Sequence, residues 1–95
     1  MVIRMPYGGG INALEHHSES MEALFAHTPG LKVVIPSTPG DAKGLLISAI
    51  ESEDPIIFME PKRLYRAIKQ EVSEDKYSIP IGQAKVLSHG SDLTV

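Results

Sequence analysis

Apolar residues along this chain fall into short blocks whose spacing switches between strand-like and helix-like periods. Val2, Ile3 and Met5 predict a strand over Val2 to Met5, which Pro6 ends by removing a backbone donor. Tyr7-Gly8-Gly9-Gly10 follows, and three consecutive glycines oppose any regular element, so residues 6 to about 18 are expected to form an extended loop. Loops of that length are often functional. Met21, Leu24 and Phe25, at i, i+3 and i+4, predict a short helix capped by Ser18 or Ser20 and stopped by Pro29-Gly30. Leu31 to Ile35 is a second strand, apolar except for Lys32 and closed by Pro36; such runs suit a parallel sheet covered on both faces.

Thr38-Pro39-Gly40-Asp41 is the sharpest local signal: a Thr cap, Pro at the first helical position and an acid in the first turn. Ala42, Leu45, Leu46, Ala49 and Ile50 then give one apolar stripe, leaving Asp41, Lys43 and Glu51 toward water, and Glu51 to Asp54 ends the helix before Pro55. Ile56 to Glu60 is a third strand. Strand, helix, strand, helix, strand implies an α/β fold, a parallel sheet with flanking helices joined by right-handed crossovers.

Past Pro61 the character changes. Residues 62–80 are charged and weakly periodic, then extended, and are expected to be a linker. Gln83 to Leu87 and Leu93 to Val95 are β-prone around the turn cluster His89-Gly90-Ser91-Asp92, which predicts the first hairpin of another domain. Both ends of the chain stand inside β-prone runs, so both are expected to be cuts within a larger fold.

Composition narrows the function classes. With 95 residues, 42% hydrophobic and 22% charged, the chain has the balance of an ordinary globular protein. A formal charge of -3 provides no basic field for a nucleic-acid backbone or an anionic membrane, so neither is expected as a partner. No apolar run approaches the ~20 residues of a membrane span. The absence of cysteine removes disulfides, thiolate nucleophiles and thiolate metal sites, and suits a reducing compartment, so the cytoplasm is expected.

Candidate chemistry concentrates near the first loop. Gly8-Gly9-Gly10 lacks the Gly-Lys-Ser/Thr ending of a phosphate loop and reads as a flexible connection. Glu15, His16 and His17 place a carboxylate and two imidazoles on the carboxyl side of a parallel strand, where ligand sites form. An imidazole there suits acid, base or donor work near neutral pH, against the alternative of a solvated or capping pair. Adjacent histidines rarely converge on one metal ion, and no Gly-x-Ser-x-Gly elbow supports hydrolase chemistry. Lys62, Arg63 and Arg66 read equally as an anion site or as a charged linker lying over a neighbouring surface.

Four runs carry a resemblance: Glu15-His16-His17-Ser18-Glu19-Ser20, Phe25 to Pro36, Asp41-Ala42-Lys43-Gly44-Leu45-Leu46, and Glu60-Pro61-Lys62-Arg63-Leu64-Tyr65-Arg66. In that order and register they resemble the β subunit of thiamine-diphosphate-dependent 2-oxoacid dehydrogenases, the E1 component. The Glu60 to Arg66 run, and Pro36 and Pro39 before the long helix, look most like the branched-chain (2-oxoisovalerate) type, with pyruvate and acetoin types close.

The resemblance implies a partial chain: residues 1–61 as the later half of a transketolase-like pyrimidine-binding domain, 62–80 as the linker, and 81–95 as the first strands of the C-terminal domain. It implies an oxidoreductase working as an α2β2 heterotetramer, with thiamine diphosphate between α and β and magnesium held on α. The cofactor ylide attacks the 2-oxo carbon, carbon dioxide leaves, and the acyl group passes to the lipoyl arm of E2. The glutamate that activates the cofactor lies upstream of Met1, so the 95 residues alone are expected to be inactive, and none of them is assigned to cofactor binding. His17 matches the family histidine that assists acyl transfer, whereas His16 stands where many relatives carry another residue. A structural potassium site built from backbone carbonyls maps to Ala49, Ile50, Ser52 and Asp54. In a eukaryote the location becomes the mitochondrial matrix. The competing readings are a free-standing interaction module and a truncated product without function of its own.

Overall fold

The computed structural model describes residues 1–10 and 18–95. In chain order it contains β1 (Val2–Tyr7), α1 (Glu22–Ala26), β2 (Lys32–Val34), α2 (Pro39–Glu51), β3 (Ile56–Pro61) and a single 3-10 turn over Lys62–Leu64. The three strands form one parallel sheet in the order β1-β3-β2, as the alternation of periods predicts. Val2 stands opposite Ile56 and Tyr7 opposite Pro61, while Lys32 and Val34 stand opposite Ile56 and Phe58.

β3 is central because it alone is apolar on both faces: Ile56, Ile57, Phe58 and Met59 are all buried. The connection from β1 to β2 passes over β3 and the next returns to it, so right-handed crossovers place α1 and α2 on opposite faces. On the α2 face, Ile56 and Phe58 join Val34 and Ala49 in a buried cluster, with Val2, Leu45, Leu46 and Ile81 against it. Strand alternation turns Ile57 and Met59 to the opposite face.

Several boundaries differ from the sequence expectation. β1 runs through Pro6 to Tyr7, because an edge strand tolerates a residue without a backbone donor, and it ends at Gly8, whose φ of 85° breaks the extended run. α1 starts at Glu22 with Met21 as its cap residue and no side-chain cap bond, so neither Ser18 nor Ser20 caps it; both lie too early in the chain. β2 is trimmed to three residues.

The long helix begins as expected. Thr38 is extended, its Oγ1 accepts from the Asp41 amide at 3.1 Å, and Pro39 opens the first turn. Leu45, Leu46 and Ala49 of the expected stripe meet the core, whereas Ile50 is 66% exposed and Gly44, outside the stripe, is buried as well.

Gly44 is covered by the segment expected to be a linker. It lies along α2. The Gly40 amide donates to Gln70 Oε1 at 3.0 Å, and Tyr77 Oη donates to the Gly40 carbonyl at 2.7 Å. Lys43, expected to face water, donates to the carbonyls of Ser73 and Asp75 and lies 5.2 Å from the centre of the Tyr77 ring. Further along, the Ile79 amide donates to the Gly44 carbonyl at 3.2 Å and Ser48 Oγ donates to the Ile79 carbonyl at 2.6 Å. Lys76 pairs with Glu51 at the helix end.

Gln83 to Leu87 and Leu93 to Val95, expected as strands, carry none. The amides of Leu87 and Ser88 donate to the Val95 carbonyl at 2.7 and 3.0 Å, and the Val95 amide returns a bond to Ser88. Two short runs without a third strand or a covering helix lack the packing that stabilises a hairpin. Among the described residues no helix is long and apolar enough to cross a membrane.

Gly44 tests the strap. A Cβ there would lie 2.6 Å from Ile79 Cγ1 and 2.8 Å from Tyr77 Cε2, and the Ile79 backbone is pinned on both sides. Gly44→Ala gains about 1 kcal/mol of helix propensity, but overpacking of this kind costs about 1–3 kcal/mol. The expected result is a lower melting temperature and faster tryptic cleavage at Lys69 and Lys76; an unchanged or higher melting temperature would show that the strap does not press on the helix. Thr38→Ala, which removes only the cap, is expected to cost about 1 kcal/mol by denaturant titration without exposing those lysines.

Candidate functional site

Open parallel sheets present ligands with the loops at the carboxyl ends of their strands. At that end of this sheet, Arg4 and Glu60 project to the same face, because Arg4 is in register with Phe58 and Glu60 lies two residues further along β3. Arg4 Nε donates to Glu60 Oε1 at 2.5 Å. Beyond β3, Pro61 leads into the 3-10 turn, and the Tyr65 amide closes it on the Lys62 carbonyl at 3.2 Å. That turn folds Tyr65 back over the strand end, where its hydroxyl donates to Glu60 Oε2 at 2.7 Å. One carboxylate thus ties β1, β3 and the segment after the 3-10 turn together.

The electrostatics follow from the contacts. Burial raises the Glu60 carboxyl, but the hydrogen bonds from Arg4 and Tyr65, with the Arg4 charge, outweigh it and hold the group below its ordinary value. Burial, then the bond to the Glu60 carboxylate, pushes the Tyr65 phenol up to about 12. At neutral pH the arrangement is a carboxylate accepting from a guanidinium and a protonated phenol.

Beside this cluster is a cavity of about 380 Å³ between the start of α2 and the end of β3, with Phe58, Leu46, Pro39, Leu64 and Ile68 supplying apolar walls and Arg4, Glu60, Tyr65 and Lys43 the polar edge. Such a space suits an apolar group with one polar end. Among the described residues no group of three His, Cys, Asp or Glu side chains is placed to hold a metal ion.

Glu15, His16 and His17 lie outside the described residues. The feet of their loop are described: the Gly8 amide donates to the Glu19 carbonyl at 2.9 Å, which closes residues 8 to 19 at the end of β1. Gly10, at φ 98°, passes Arg63, whose Cδ would stand 3.8 Å from a Cβ at that position. Arg63 of the basic trio therefore borders the loop.

The carbonyl group at Ala49, Ile50, Ser52 and Asp54 stands elsewhere. It marks the end of α2, beside the start of β3, so about six residues of strand, roughly 20 Å, separate it from the Arg4–Glu60–Tyr65 end. There the Ser52 amide donates to the Ala49 carbonyl at 3.3 Å, Ser52 Oγ accepts from the Asp54 amide at 3.2 Å, and the Asp54 carboxylate pairs with Lys32.

Sequence reasoning did not assemble Arg4, Glu60 and Tyr65. The available signal was Arg4 itself, a single charge inside the apolar block of β1, which calls for a counter-charge on a neighbouring strand. The cluster is tested by titration. Ultraviolet absorbance of phenolate should show one tyrosine ionising near 12, and Glu60→Gln should lower that value, because the carboxylate that repels phenolate is gone. The stability contribution of Tyr65 is present below about 10 and is lost as pH rises toward about 12. That of Glu60 is present above the ordinary carboxylate range and is lost as pH falls through its depressed value. Equal high-pH titration of wild type and Glu60→Gln would dissolve the cluster.

Comparison with known proteins places these features in a family. The chain is 65% identical over 95 residues to the pyruvate dehydrogenase E1 component subunit beta of Acholeplasma laidlawii. It is 57% identical over the same span to the 2-oxoisovalerate dehydrogenase subunit beta of Bacillus subtilis (strain 168), and 54% identical to the pyruvate dehydrogenase E1 component subunit beta of that organism. In each case the match covers 100% of this chain and 29% of the relative, so the chain spans less than a third of the length of these relatives. The profile of the transketolase pyrimidine-binding domain matches residues 1–68, which take in the whole sheet, both helices and the Arg4–Glu60–Tyr65 cluster. The chain belongs to the family of the transketolase pyrimidine-binding domain.

Proposed function

We propose that these residues serve in the β subunit of the E1 component of a 2-oxoacid dehydrogenase, where residues 1–61 complete a pyrimidine-binding domain, 62–80 link it onward and 81–95 open a C-terminal domain. The observation that carries the proposal is identity of 54–65% along the entire chain to subunits of that name. Relatives named for pyruvate and for 2-oxoisovalerate both match, so the proposal is to the 2-oxoacid class, with the branched-chain acid and pyruvate as the two substrates to be compared. The partners in this reading are an α subunit, a second β subunit and a lipoyl-bearing E2, in the cytoplasm or the mitochondrial matrix.

Thiamine diphosphate, when bound with magnesium on the α subunit, supplies the carbanion that decarboxylates the acid. The part proposed for this chain is to present His17 at the cofactor channel, where its imidazole assists proton transfer as the acyl group leaves for the lipoyl arm. The loop that carries His17 in sequence starts and ends at the carboxyl edge of the sheet, which supports that assignment. The carbonyls of Ala49, Ile50, Ser52 and Asp54 are proposed as ligands of a potassium ion. In support, Ser52 turns the chain out of α2 at φ -73°, ψ 142°, leaving acceptors at the negative end of the helix. Neutral carbonyls suit a large monovalent ion better than magnesium.

A complete β subunit of this sequence, assembled with its α partner, thiamine diphosphate and magnesium, should decarboxylate pyruvate or 2-oxoisovalerate; failure with both acids would remove the 2-oxoacid reading. The 95 residues alone are expected to give no turnover. His17→Ala should lower acyl transfer to the lipoyl arm by about 10²- to 10⁴-fold. Exchange of potassium for sodium at matched ionic strength should lower the melting temperature of the assembly, and identical melting curves would remove the cation site.

A further inference from the structure

The segment beyond β3 is split by charge. Residues 62–69 carry four cations, Lys62, Arg63, Arg66 and Lys69, and no acid, whereas residues 71–75 carry three acids, Glu71, Glu74 and Asp75, and no cation. About Gln70 the two halves mirror each other in position. Lys69 and Glu71 stand one place to either side, Ile68 and Val72 two places, and Arg66 and Glu74 four. Cation answers acid, and apolar answers apolar.

The fold presents this pattern outward. Gln70 Oε1 accepts from the Gly40 amide at 3.0 Å and Lys43 donates to the carbonyls of Ser73 and Asp75, so the centre of the segment and its main chain are held against α2. Arg66, Ile68, Lys69, Glu71 and Glu74 are exposed, and Val72 is half-buried between them. Arg4, Lys32 and Lys76 each have a carboxylate partner, but Arg66, Lys69, Glu71 and Glu74 enter no ion pair with a described residue. A second copy lying antiparallel on this face, related by a two-fold axis near Gln70, sets Arg66 against Glu74, Ile68 against Val72 and Lys69 against Glu71, each pair occurring twice. A copy lying parallel would bring like charges together, and a partner of one charge sign would satisfy only half of the segment. The backbone is already fastened along α2, which lowers the cost of ordering it on association.

We propose that residues 66–74 form a two-fold contact between two copies of the β subunit, with Arg66 on Glu74, Ile68 on Val72 and Lys69 on Glu71 of the second copy. This rests on the reading of the chain as a subunit that assembles with a second β subunit, and it assigns the surface by which the two meet.

The test uses the complete β subunit with its α partner, assembled from an equal mixture of ordinary and heavy-isotope-labelled β. A carbodiimide joins an amine directly to a carboxylate in contact with it, and the cross-linked peptides are read by mass. The expected product joins Lys69 to Glu71 with one label on each side, which only a link between copies produces. Arg66→Glu sets acid against acid at both symmetry-related places and should lower the yield of that product about tenfold; Glu74→Arg should do the same, and the two together should restore it. Melting curves identify a reversal that fails to fold, and Arg66→Gln, which removes the charge alone, then takes its place with an expected loss of about threefold. Lys69 linked only within its own copy overturns the proposal, and Lys69 linked to a carboxylate of the α subunit overturns it by assigning the face to α. A yield unchanged in the Arg66 variants, or a double variant no better than the single ones, overturns it as well. Decarboxylation by the same preparation reports the E1 reading separately: activity without the mixed-label product removes the contact alone, and the mixed-label product without activity removes the E1 reading and leaves the contact.

Discussion

β3 is the strand every other element needs. β1 and β2 each hydrogen-bond to it and to no other described strand, and α2 packs on one of its faces. Four consecutive apolar residues, Ile56 to Met59, satisfy that position because both faces of a central parallel strand leave water. The run ends at Glu60, where the sheet gives way to the loops. A carboxylate at that boundary is dry enough on one side for directed hydrogen bonds and close enough to solvent to stay charged.

The helix on this core is held from outside as well. Gly44 opens a recess in α2 into which Ile79 and Tyr77 fit, and bonds at Gly40, Lys43, Gly44 and Ser48 distribute the attachment over three turns. Residues that read as a charged connection are thereby fastened along the helix.

What was legible in the sequence was local. Thr38, Pro39 and Asp41 announce a helix start through contacts within one turn, and the Ile56 to Met59 run announces a buried strand. Pro6 misled because the effect of a proline on a strand depends on whether the strand lies at an edge, which is a tertiary fact. Ser20 misled for a related reason: a helix start needs a backbone bend at the right residue as well as a capping side chain. The strap was hidden because its contacts join residues about 30 positions apart and rest partly on the absence of a side chain at Gly44. The Arg4–Glu60–Tyr65 cluster required strand order and register, neither of which one sequence supplies. The His17 assignment came from resemblance, and its residues lie outside those described.

Lys43 holds the strap through the carbonyls of Ser73 and Asp75, and the nearby Asp75 side chain takes no part in that grip. Every amino acid carries a carbonyl. Positions 73 and 75 can therefore drift in sequence without releasing the ammonium, while Lys43 itself and the path of the backbone stay constrained. The same attachment does not depend on a neutralising carboxylate. The charged appearance of this stretch thus says little about what fastens it, and a segment that looks replaceable by composition is tied to the helix by its main chain.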